Sequence, residues 1–97
     1  MLTHIWSMSF TEETTTAQRE AFVAAMAELP NKIAGVESFR SGTDLGLNPG
    51  NSDVAIVAEF ADADAWKAYL AAPVHVAFVE DHVTPLCASW GAIQFEA

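Results

Sequence analysis

The sequence predicts an α+β fold: a ferredoxin-like β-α-β-β-α-β plait whose copies pair into a dimeric α+β barrel. Three observations lead there. Strand and helix patterns alternate in that order along 97 residues, a length that supports one domain, read here as 1–97. The apolar repeat switches between a period of two and a period near 3.6 at turn residues. Apolar residues make up 52% of the chain and charged residues 18%, so the chain is globular and rich in apolar side chains for so small a body.

Each element has its own signature. From Leu2 to Phe10 the residues alternate: Leu2, His4, Trp6, Met8 and Phe10 point one way, and Thr3, Ile5, Ser7 and Ser9 the other. Thr15 with Gln18 forms a capping-box pair that opens a helix running to about Leu29, where Pro30-Asn31 ends it. Phe22, Ala25, Met26 and Leu29 recur at helical spacing and form one apolar stripe. After Gly35 a second strand covers Val36 to Ser41. The turn-rich segment 41–52, broken by Asn48-Pro49-Gly50, reads as a long loop suited to a lid or a dimer-edge arm. Asp53 to Phe60 is the clearest strand. Asp62 caps a second helix through about Ala71, with Trp66, Tyr69 and Leu70 facing inward. Pro73 fits the first turn of a short extra helix, PVHVAFVEDHV, because its missing N–H is not needed there. A last strand spans about Ser89 to Glu96.

The two sheet faces predict the assembly. Helices cover the face carrying His4, Trp6, Met8 and Phe10. The opposite parity holds Ile5, Phe39, Val57, Ile93 and Phe95, whereas an antiparallel sheet with one wet face alternates more cleanly. A second copy packed on the open sheet face resolves this, giving a homodimer. The competing reading keeps that face wet through Ser7, Ser9, Glu37, Ser41, Asp53 and Glu59.

Charge narrows the partners. The net charge is −9, and the only basic residues, Arg19, Lys32, Arg40 and Lys67, are scattered. Neither nucleic acid nor an anionic membrane is expected as partner, since both need clustered cations. No apolar run approaches the ~20 residues of a membrane span. The opening MLTHIWSMSF lacks the pattern of a secretory leader, and Cys87 is alone, so a cytoplasmic location is expected.

The candidate chemistry centres on three residues. Pro73 places His75 near the third position of a helix, where free N–H groups disfavour imidazolium and keep a general base neutral. Tyr69, near the end of the preceding helix, offers a hydroxyl to a carbonyl or enolate oxygen. His4 projects onto the helix-covered face and could line the same cavity. Trp6, Met8, Phe22, Met26, Trp66 and Phe78 would supply its apolar walls. Such a pocket suits proton abstraction beside a carbonyl, or simple binding of a small phenolic or carbonyl ligand. The plainer alternatives are a His75 bonded to a nearby carbonyl, a structural His4 and a Tyr69 that is core first. No cofactor is expected. No metal is expected either: His75 and His82 are seven apart, but Glu80, Asp81 and His82 fan around most of a turn. The Gly42, Gly46 and Gly50 segment opens no helix and is not a phosphate fingerprint.

The opening T-H-I-W-S-M-S-F, the I-x-G-V-x-S-F of Ile33 to Phe39, and A-Y-L-A-A-P-V-H-V-A-F of Ala68 to Phe78 resemble the stress-responsive α/β-barrel domain (Dabb) family across essentially the whole chain. The resemblance implies a dimeric ferredoxin-like barrel. A plant polyketide cyclase of that family uses a histidine and a tyrosine at positions matching His75 and Tyr69, with a pocket histidine matching His4, and needs no cofactor. Its first-helix tyrosine falls near Met26, and the family's basic residue near the end of the first strand falls at Ser7 or Ser9. The leading expectation is a stress-response or accessory domain that binds a small organic molecule. The alternatives are a cofactor-free cyclase or isomerase, a cofactor-free monooxygenase, and a purely structural dimerisation module.

Overall fold

The computed structural model describes residues 1–97. The elements are β1 (Leu2–Phe10), α1 (Thr16–Lys32), β2 (Ser38–Thr43), β3 (Val54–Phe60), α2 (Ala63–Ala71), α3 (Pro73–Phe78), a π-helical turn (Val79–Val83), α4 (Thr84–Leu86) and β4 (Cys87–Glu96). The strands form one antiparallel sheet in the order β2-β3-β1-β4, the ferredoxin-like arrangement. β2 and β4 are its free edges.

Central β1 shows the expected alternation. Leu2, His4, Met8 and Phe10 are buried on the helix-covered face, in rows with Phe60, Ala58 and Val54 of β3. Phe22, Met26 and Leu29 of α1 complete this core, with Phe22 edge-on to Phe10 at 5.1 Å between ring centres. Thr15 and Gln18 cap α1 reciprocally at 3.1 and 2.8 Å. The helix runs past Pro30 to Lys32 instead of ending at Leu29. In the last turn, proline removes one bond, that to the Met26 carbonyl, and too little helix remains beyond it to break.

β2 starts two residues later than expected, and its register with β3 changes the face of two side chains. Phe39 pairs with Ala58 and Ser41 with Ile56, so both lie on the helix-covered side. Phe39 therefore joins the main core and does not add to the open face. Open-face apolar character remains in the cross-strand row Val57–Ile5–Ile93 and in Phe95. Ile93 and Phe95 are 57% and 43% exposed.

The extra helix also differs from expectation. Helical backbone continues from Pro73 to Leu86, widening at Val79–Val83, where the Thr84 N–H bonds to the Val79 carbonyl. Pro85 has no N–H for the regular bond four residues back, and a wide turn accommodates that loss. The widening shifts the helical phase. His82 packs on Phe22 and Phe78, with ring centres 6.4 and 5.8 Å away. No helix is long and apolar enough to cross a membrane.

Candidate functional site

A half-open cavity of about 660 Å³ lies between the sheet and the α2–α3 segment. Its floor is the helix-covered sheet face: His4 and Trp6 of β1, Ile56 of β3, and Trp90, Ala92 and Gln94 of β4. Its wall is Trp66, Tyr69 and Leu70 of α2, His75 and Phe78 of α3, then Val79, Val83 and Thr84 of the widened run, with Cys87. The lining is mainly apolar, with few polar groups, the composition of a small-molecule site.

Local structure explains how each polar group arrives. Asp62 accepts a hydrogen bond from the Ala65 N–H at 2.9 Å and starts α2, whose last turn buries Tyr69. Ala72 breaks the helix, and Pro73 opens α3 at once. That abrupt restart folds His75 back on Tyr69, their ring centres 4.6 Å apart. His4 comes from the sheet, 6% exposed, with its ring centre 6.4 Å from that of Tyr69 and 5.9 Å from that of Trp66. The structure thus brings His4, Tyr69 and His75 onto one cavity.

His4 is held from behind. Gln94 Nε2 donates to its Nδ1 across 2.9 Å, which leaves the neutral ring's proton on Nε2. A half-turn of the amide presents the oxygen instead, so Gln94 can serve either tautomer. Burial lowers the His4 pKa from its ordinary value, and neighbouring His75 adds to the effect. Burial also lowers that of His75, partly offset by a backbone hydrogen bond to Leu70. Both imidazoles are therefore mostly neutral at pH 7. The Tyr69 phenol is pushed up to about 12 by burial, so it stays protonated and able to donate. The Trp66 indole N–H is buried without an acceptor in the chain. An orphaned donor beside a cavity is a feature that packing alone does not favour.

Of the expected wall residues, Trp6, Trp66 and Phe78 line the cavity. Met8, Phe22 and Met26 do not: each is 0% exposed, sealed between α1 and the sheet. α1 lies toward the β2 side of the sheet and contributes nothing to the lining. Met26, at the position of the plant cyclase's helix tyrosine, is thus enclosed as well as apolar. Gln94 and Trp90 were not expected. Simple alternation from Ile93 and Phe95 places both on the same face as His4, so the signal was present. Val79, Val83 and Thr84 depend on the widened turn, which no sequence period announces.

Fold and site together define a small ferredoxin-like domain with an apolar pocket under its short helices. The sequence model of the stress responsive A/B barrel domain matches residues 2–97, and the chain belongs to that family, Dabb. A dimeric ferredoxin-like protein of unknown function from Thermobifida fusca YX is 32% identical, the match covering 99% of this chain and 90% of that one, with a TM-score of 0.90. A Dabb family protein with a ferredoxin-like fold from Mesorhizobium loti is 23% identical over 99% of this chain and 95% of its own, with a TM-score of 0.84. Hydroxynitrile lyase from Passiflora edulis is 17% identical over 97% and 90%, with a TM-score of 0.83. The last two likenesses concern the fold alone. No curated protein matches the sequence.

Proposed function

We propose that this chain is a cytoplasmic stress-response or accessory domain, a homodimer through its open sheet face, that binds a small phenolic or carbonyl compound in the cavity. The observation that carries the reading is the convergence of His4, Tyr69 and His75 in an otherwise apolar space of about 660 Å³, within the ~300–1,000 Å³ range of ligand pockets. Apolar walls supply burial, and the three polar groups orient an oxygen-bearing guest. The dimer reading is supported by the exposed Ile93 and Phe95 and by the dimeric Thermobifida fusca relative. The test is a thermal-shift and ligand-observed NMR screen of small phenols and ketones. Saturable binding that leaves the compound unchanged supports the reading, and a panel without a binder refutes it.

The Tyr69–His75 contact favours a second reading, cofactor-free proton transfer. Neutral His75 takes a proton from the carbon beside a carbonyl, and the C–H electron pair moves into the enolate. The Tyr69 hydroxyl donates a hydrogen bond to the enolate oxygen, and the proton returns from His75 to carbon. His4, steadied by Gln94, supports the oxygen side. The fold likeness to the Passiflora edulis lyase is consistent with an enzyme on this scaffold. Deuterium uptake by a ketone probe in heavy water, abolished in His75→Ala with the fold retained, separates this reading from binding alone.

A further inference from the structure

The loop between β2 and β3 presents two leucines to nothing. Leu45 and Leu47 are each 83% exposed. The segment is nevertheless built. The Asp44 carboxylate accepts from the Gly46 N–H at 2.9 Å and from Asn51 Nδ2 at 3.1 Å, and the Asp44 N–H donates to the Asp53 carbonyl at 2.8 Å. Gly46, at φ +74°, takes the left-handed turn this shape requires. A third large side chain is also uncovered: Trp90 is 66% exposed and lines the cavity from the free β4 edge.

Register relates the two. Thr43 pairs with Val54, Val54 with Met8, and Met8 with Trp90, so all four share one row across the sheet. The loop therefore leaves β2 level with Trp90 but at the opposite edge, roughly 14 Å away at three strand spacings. Within one copy the two edges do not meet. Between two copies they do.

Two twofold arrangements can join the open faces. An axis across the strands sets β4 on β4, thick edge on thick edge, with Ile93 and Phe95 from each copy. It also sets β2 on β2, where Ser38 and Gly42 leave the edge thin and both Arg40 side chains meet. An axis along the strands places each β2 against the partner's β4, so that Ser38 faces the row of Phe95 and Gly42 that of Gly91, and it keeps the two arginines on opposite sides. Size and charge favour the second. It preserves the level of every row, so each loop emerges beside the partner's Trp90.

We infer that the 44–53 loop of each copy folds over the β4 edge of the other, and that the partner's Leu45 and Leu47 cover Trp90 and close the cavity mouth. Each pocket is then completed by the second copy. The inference rests on the dimer and adds a role for it, whether the guest is only bound or also transformed.

Cysteine cross-linking tests it, because Cys87 is the only cysteine and lies at the same end of β4, in the row of Phe10. Leu45→Cys in the full chain is treated with a short bis-maleimide, with sedimentation run on the untreated sample. The expected product is a covalent dimer whose peptide map joins position 45 to Cys87, a link lost in Leu45→Cys/Cys87→Ala. A sedimenting dimer that yields only 45-to-45 links, links within one copy or none overturns the loop placement. A monomer overturns the dimer reading itself, while ligand binding is judged separately by the phenol and ketone screen. In Leu45→Ser/Leu47→Ser, acrylamide quenching of tryptophan emission should rise severalfold with the dimer intact, and unchanged quenching counts against the inference.

Discussion

Replacing Tyr69 by phenylalanine separates a site tyrosine from a core one. The side chain is 2% exposed, with its ring centre 5.1 Å from that of Phe60 and 4.6 Å from that of His75. Phenylalanine keeps all of that packing. Burial alone pushes the phenol's pKa up, so removing the hydroxyl breaks no bond inside the chain. Unfolding free energy should change by less than about 1 kcal/mol. Binding should suffer more. One hydrogen bond to a ligand oxygen is worth about 0.5–1.5 kcal/mol net, roughly a two- to thirteenfold rise in Kd. If the hydroxyl steadies an enolate oxygen, turnover should fall about 10²–10³-fold. The assay pairs titration calorimetry, using a phenol or ketone that binds wild type, with urea unfolding of the same samples. An unchanged Kd with a stability loss of about 2 kcal/mol or more would refute the reasoning and make Tyr69 a packing residue whose hydroxyl is bonded inside.

Three other expected outcomes rest on single contacts or rows. Both histidines titrate below the ordinary value of about 6.5 when folded, so beneath it the unfolded chain holds more protons and stability falls with pH toward the folded values; Tm should decline as pH falls below about 6.5, and less steeply in His4→Asn/His75→Gln. Asp53→Ala should cost about 1–3 kcal/mol in urea unfolding, because the Phe10 N–H donates to that carboxylate at 2.8 Å and would lose its partner. Ile93→Lys sets a charge in the Val57–Ile5–Ile93 row and should shift sedimentation toward a single copy with the circular dichroism spectrum intact; an undisturbed dimer would argue against that face.

The sequence makes strands and caps legible where one local rule decides them. Alternation identifies β1, and Thr15, Asp62 and Pro73 mark helix starts through bonds made within a turn. The face of Phe39 escaped because parity inside β2 depends on its register with β3, a non-local pairing. The length of α1 escaped because Pro30 weakens a helix only in proportion to the number of turns beyond it. At the site, His4, Tyr69 and His75 were readable as chemistry-bearing types near predicted element ends, and the structure places them on one cavity. Met8, Phe22 and Met26 share apolar type and face with the pocket wall, so sequence does not separate core from lining there; only the offset of α1 from α2 distinguishes them. Thr84 and the valines entered through a widened turn that changes phase without changing composition.

The bond between His4 and Gln94 joins residues ninety positions apart. Until β4 has been synthesised, a nascent chain carries its first histidine beside an unfinished sheet, with no amide to orient it and one side of the chamber missing. Local helices can form early, but contacts of such long sequence separation arrive late. On the ribosome, then, the cavity should take shape abruptly, as β4 emerges and docks.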